Sequence, residues 1–194
     1  VPASIALVMT IIGTLLTAVV VAREWERGTL EAVFATPVSA LELLASKFIP
    51  YFLLALATMA ACVAAAIFLF GVPFRGSFLA ILALTAAFLA PALGQGLLIS
   101  SAAKNQFVAS QLALFSGFLP AMLLSGFMFE IESMPEPIRA ITAIIPARYF
   151  VTGLQTVFLA GDVWEVLLPV ILKMLGLGAV LLFFAWRVTP KRIA

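Results

Sequence analysis

Five apolar runs, each long enough to cross a bilayer as a helix, constrain this chain more than any other feature. A hydrocarbon core of about 30 Å takes about 20 helical residues. The runs cover residues 3–22, about 48–70, roughly 78–102, 107–129 and roughly 166–186. Lipid offers no partner for unpaired strand edges, and none of the runs alternates like a barrel strand. The expectation is an all-α, polytopic membrane helix bundle. Composition agrees: 64% of the chain is hydrophobic and 10% charged, against about 45–50% and about 25% in soluble domains. There is no His and one Cys, Cys62, which excludes a disulfide framework and argues against a His/Cys metal site. The net charge of +2 comes from a few flanking Lys and Arg and does not point to nucleic acid. Val1 opens the chain and no basic segment precedes the first run, so residues 1–194 read as one transmembrane domain of a longer protein.

Lys and Arg set the expected orientation. With the first residue outside, Arg23, Arg27, Lys47, Lys104, Arg187, Lys191 and Arg192 face the cytoplasm, and Arg75, Arg139 and Arg148 face out. That is seven against three, with Lys173 left inside the last run. The C-terminus is then cytoplasmic, and a chain that begins outside implies a further span upstream. Ser39 and Glu42 fit a capping box that starts the second span, because each can satisfy the other's free amide. Asp162-Val163-Trp164-Glu165 fits similar capping logic before the last span. Pro50, Pro91 and Pro120 fall inside spans, where a missing N–H invites a kink. Gly94, Gly96, Gly117, Gly126, Gly176 and Gly178 are small-residue sites for close helix approach.

Two regions stand out from the spans. One is 130–160, too polar and Pro-broken to span, yet with Ile138, Ile141, Ile144 and Ile145 at near-helical spacing. Two short helices divided by Pro146, lying in or on the outer leaflet, are expected there. Pro120, Gly126, Pro146, Arg148 and Tyr149 are the candidates for an outer gate; an interfacial anchor is the alternative. The other region is Arg23-Glu24-Trp25-Glu26-Arg27-Gly28-Thr29-Leu30-Glu31, with five charges in nine residues. Drawn as one helix over 23–36, it gathers Arg23, Glu24, Glu26, Arg27 and Glu31 on one face, with Trp25 and Gly28 mostly opposite. Glu24–Arg27 and Arg27–Glu31 have pairing spacing. Leu30 and Phe34 project from the charged face, an apolar pair with a polar rim. A docking surface and an interfacial amphipathic helix fit this pattern about equally. Lys173 is expected to snorkel outward, with a substrate- or lipid-facing role as the alternative.

The run 22–31 followed by Thr36-Pro37-Val38 resembles the cytoplasmic motif of ABC-2 type transporter permeases. The run 119–129, then Met134-Pro135, 145–150 and Leu159-Ala160-Gly161, resembles that family's outer-half signature. The likeness covers essentially the whole chain and is greatest to the bacterial drug-efflux branch. It implies a multi-pass subunit of the bacterial inner membrane that pairs as a homo- or heterodimer and works with two cytoplasmic ATP-binding subunits. On this likeness 23–36 is the coupling helix, seated in a groove of the ATPase through Arg23, Glu24, Glu26, Arg27, Gly28, Leu30, Glu31 and Phe34. The expected function is export of a small hydrophobic compound or drug. ATP and Mg belong to the partner; the chain itself needs no cofactor and is not the ATPase, having no G-x-x-x-x-G-K-[ST] pattern. Relative to the family, the first span and the external domain after it are missing. A channel or non-transporting scaffold is the alternative, although only Thr85, Gln95, Gln111 and Gln155 offer a polar lining. An intramembrane enzyme fits worse. No His or paired acids occupy the spans, and Ser100, Ser101 and Ser110 have no nearby base.

Overall fold

A computed structural model describes residues 1–29 and 35–189. These form helices and no strand. Five are membrane-length: α1 (Pro2–Glu26), α2 (Ala40–Phe68), α3 (Phe78–Ala103), α4 (Gln106–Leu124) and, last in the chain, α7 (Trp164–Val188). Between α4 and α7 lie the short α5 (Glu136–Thr142) and α6 (Pro146–Leu159). The bundle therefore matches the expected five spans and the helix pair divided at Pro146.

Local chemistry explains most boundaries. The Ser39 side chain accepts the Glu42 amide at 3.3 Å, and the Glu42 carboxylate accepts the Ser39 amide at 2.8 Å, so the capping box is complete. Ser77 and Asn105 cap α3 and α4 through their side-chain oxygens. The start of α7 differs from expectation. Val163 occupies the cap position and has no side-chain acceptor, while Asp162 turns away and accepts the Ser77 amide at 2.7 Å. Packing against the α3 terminus wins over the local cap. The fourth span is also shorter than 107–129. It ends at Leu124, and Gly126 follows with φ +89°, a left-handed turn suited to glycine.

Helix α3 is the axis of the bundle, packed by α1, α6 and α7. Its small residues set the distances. A side chain at Gly178 of α7 would place its Cβ 2.7 Å from Ala90 Cβ, and one at Gly96 would collide with Thr17 of α1. Gly94 faces Leu181 and Leu182 of α7 less tightly, at 3.2–3.3 Å, whereas Gly176 faces open space and Gly126 serves a turn. These contacts bring backbones together where lipid gives no hydrophobic drive.

The 14 residues of α6 reach only about 21 Å at 1.5 Å per residue, too short to span. Yet α6 is the most deeply set short element. Phe150, Val151, Leu154, Val157 and Phe158 are buried, and the Phe150 ring stacks on Phe88 of α3 with centroids 4.1 Å apart. One face of α6 is thus buried in protein, while Thr152, Gln155 and Leu159 stay exposed, and protein cover of this kind is what lets an interrupted helix sit at membrane depth.

Two spans depart from α geometry in mid-course. Ile11–Leu16 of α1 and Leu114–Phe118 of α4 are π-helical, and they pack on each other. In α4 the cause is legible: Pro120 has no N–H for the Ser116 carbonyl one turn back, and Ser116 Oγ donates to the Leu112 carbonyl at 2.6 Å. In α1 the Thr17 hydroxyl donates to the Gly13 carbonyl at 2.5 Å, a back-bond that competes with the helix ladder.

Candidate functional site

The charged stretch begins as the last turn of α1. It does not continue as one helix over 23–36. Helix α1 ends at Glu26 with Arg27 as its cap, and Gly28 follows at φ +68°. This is glycine in the position that commonly terminates helices. The single-helix projection is corrected accordingly. Leu30, Glu31 and Phe34 lie outside the described residues.

Arg23, Glu24 and Glu26 bind the chain to itself. Glu24 forms an ion pair with Lys47 of α2 rather than the expected pair with Arg27. Glu26 Oε1 accepts the Gln106 amide at 2.9 Å, at the first turn of α4, and Arg23 Nε donates to Gln106 Oε1 at 3.4 Å. The Lys104 ammonium stands 4.7 Å above the Trp25 ring. Trp25 itself is half-buried and packs on the cluster of Val21, Leu43, Leu44, Leu97 and Ala185, as the wheel placed it. One turn earlier, the Ala22 amide donates to Ser100 Oγ of α3 at 2.7 Å. Four side chains of one helical turn thus grip α2, the α3–α4 turn and α4 together. Arg27 and Gly28 remain exposed beyond this clasp.

Toward the other end lies a cavity of about 550 Å³. Its walls come from α1, α3, α4, the α5–α6 corner and α7, and no charged side chain lines it. Pro120 and Pro146 line it; Gly126 does not. Polar groups are few. Gln95 Nε2 donates to Ser116 Oγ at 3.1 Å across α3 and α4. Thr14, at the midpoint of α1, has a buried hydroxyl with no hydrogen-bond partner. Thr14 and Ser116 both sit in the π-helical segments, and Thr14 Cγ2 comes within 2.9 Å of a Cβ built at Gly117. The sequence did carry a signal for this wall: Thr10 and Thr14 fall on one helical face of an otherwise apolar run. A second apolar hollow, of about 440 Å³, lies between α2 and α3 and includes the buried, unpartnered Thr85 hydroxyl.

Arg148 and Tyr149 stand in the first turn of α6, next to the cavity-lining Pro146 and Ala147. Arg148 Nη1 donates to Thr142 Oγ1 at 2.6 Å, and the Tyr149 hydroxyl donates to the Ala143 carbonyl at 2.8 Å. Lys173 of α7 reaches the Tyr149 ring, 5.3 Å from its centroid. No cluster of three or more His, Cys, Asp or Glu occurs among the described residues, so metal chemistry gains no support from them.

Five membrane-length helices, an interrupted helix pair packed into one end and a clasp of charges at the other define a polytopic membrane helix bundle. The chain belongs to the ABC-2 family of transporter proteins, whose family model matches residues 1–187. It is 47% identical over 193 residues to the probable multidrug ABC transporter permease YbhS of Escherichia coli strain K12, covering 100% of this chain and 51% of that protein. The probable multidrug ABC transporter permease YbhR of the same organism is 33% identical over 176 residues, 88% of this chain and 47% of YbhR. ABC transporter G family member 20 of Dictyostelium discoideum is 25% identical over 162 residues, 80% of this chain and 22% of that protein. The chain thus spans about half the length of the bacterial relatives it matches. No solved structure matches it.

Proposed function

We propose that this chain is the membrane core of a permease subunit of an ATP-binding cassette exporter, moving small hydrophobic compounds out of the cell with energy from ATP hydrolysed on a partner subunit. The observation that carries this reading is the apolar cavity of about 550 Å³, a size suited to a drug-sized ligand. It is walled by four spans and the α5–α6 corner. Resemblance to permeases named as multidrug transporters supports the same reading.

In this proposal the clasp end faces the cytoplasm, as the seven-to-three count of Lys and Arg favours, and the C-terminus lies on the same side. The segment after Gly28 docks on the ATPase, with Leu30 and Phe34 as its apolar anchors. The clasp carries the resulting displacement into α2 through Glu24–Lys47, and into α4 through Glu26 and Arg23 on Gln106. Both π-helical segments lie along the loaded spans α1 and α4, where irregular turns give way more readily than continuous α-helix. A second permease subunit, the same or different, completes the pathway.

The test is Leu30→Asp or Phe34→Asp in the full-length subunit with its ATPase. Either variant should insert into the membrane normally while substrate-stimulated ATP hydrolysis and transport separate. Normal transport by both variants sinks the docking assignment.

A further inference from the structure

We propose that Lys173 and Arg148 form an anion-binding rim at the mouth of the cavity opposite the clasp, and that the ligand the cavity is built for is an amphipathic anion. Such a ligand has one apolar body and one carboxylate, sulfonate or phosphate group. This rests on the exporter reading and names the substrate class for the same cavity.

Lys173 lies nine residues past Trp164, the first residue of α7. That is about 13 Å along the helix, well inside the membrane-length segment. A charge at such depth needs a partner or a route to water. Snorkelling would satisfy a lone lysine, but this one is directed at Tyr149, whose ring also has the Arg148 guanidinium 5.9 Å from its centroid. The Tyr149 hydroxyl is fixed on the Ala143 carbonyl, so the ring is held in place between α5 and α6. Two cations brought to one ring repel each other, and an aromatic face offsets only part of that cost. Among the described residues, neither cation has a carboxylate within 4.0 Å. The acid of the α6–α7 turn, Asp162, is engaged with Ser77. Arg148 uses one donor on Thr142 and has others to offer. An arrangement of two like charges without an acid is stabilised when an anion enters.

The position ties this rim to the cavity. Leu177, one turn along α7 from Lys173, lines the cavity, as does Leu181, a further turn on. Pro146 and Ala147 line it immediately before Arg148. With no charged side chain on the walls themselves, Lys173 and Arg148 supply the charge that a ligand's polar end would meet. The walls take the apolar body, with Gln95, Ser116 and the unpartnered Thr14 hydroxyl as neutral contacts deeper in. Cationic compounds would be disfavoured at this rim.

The experiment measures equilibrium binding to the full-length subunit in a neutral detergent. The probes are a fluorescent twelve-carbon carboxylic acid and its uncharged amide. The acid should bind roughly tenfold tighter than the amide, a size ordinary for a charged contact. Lys173→Met combined with Arg148→Gln should abolish that preference and leave amide binding within about twofold, while Arg139→Gln, which changes a charge on the neighbouring α5, should leave the preference intact. Equal binding of the two probes by the natural protein overturns the proposal. So does a preference that survives the double variant, or a double variant that loses both probes. If equimolar phosphatidylglycerol abolishes acid binding, the pair holds a lipid headgroup and the proposal also falls. Transport separates this inference from the exporter reading: vesicles that move the amide but not the acid defeat only the former. Vesicles that hydrolyse ATP and move neither defeat the exporter reading, and the binding preference still decides the rim.

Discussion

The two ends of this bundle are held together by opposite means. At the clasp end, Arg23, Glu24, Trp25 and Glu26 join three neighbours through polar and cation–π contacts on half-exposed side chains. At the far end, α6 is held by a buried apolar face, with Phe150 and Phe158 fully enclosed. Polar contacts near water exchange for water at little net cost. Packed aromatic cores have no such substitute and behave as rigid bodies. The difference teaches where the molecule can give: the clasp end can be re-formed by a partner, while α6 moves only with α3, on which it is stacked.

The largest expected effect is at the rigid end. Phe150→Ala removes a ring stacked on Phe88 and should cost about 3–5 kcal/mol, read as a lowered thermal unfolding midpoint of the purified subunit. A loss under about 1 kcal/mol would mean that α6 is not anchored there and would erase the contrast. The clasp should respond far less. A double-mutant cycle on Glu24→Gln and Lys47→Met should give a coupling of about 0.2–1 kcal/mol, with ATP-driven transport falling more than stability does. Stability and transport falling in proportion would make the ion pair structural rather than a link in motion.

The smallest effect concerns acid. The Ser77 side chain and amide hold the Asp162 carboxyl below the usual carboxylate range. A carboxyl lowered on folding contributes stability that is present above its unfolded value, roughly 3.9, and lost as pH falls through the lower folded value. Protection of the Ser77 amide relative to its intrinsic exchange rate should therefore hold at neutral and mildly acidic pH and fall below about pH 4. Asp162→Asn should flatten that dependence. A profile equally steep in the variant would show that another group governs the α6–α7 turn.

Much of this was legible beforehand, and the parts that were not share a cause. The spans, the helix pair around Pro146 and the box of Ser39 and Glu42 depend on neighbours within a few residues. So does the inward side of Trp25. The end of α1 at Glu26, just before Gly28, was missed because charge spacing argued for a continuous helix, and spacing says nothing about φ. Asp162 was misassigned because its partner, Ser77, lies 85 positions away. The cavity wall was half-visible in the spacing of Thr10 and Thr14. The unpartnered state of Thr14 required knowing that Gly117 of α4 packs against it.

By itself the sequence determined that this chain carries five membrane-length helices and one dense charge cluster. Helix length against bilayer thickness and the obligatory pairing of backbone groups in lipid leave no other solution. Only the tertiary structure decided what the charges do. It turned Glu24 and Glu26 inward onto the chain's own spans. It closed an apolar cavity between helices distant in sequence, and it set Lys173 and Arg148 at one aromatic ring. Those outcomes depend on how rigid helices meet across α3, and the meeting distances are set by glycines whose neighbours no local pattern names.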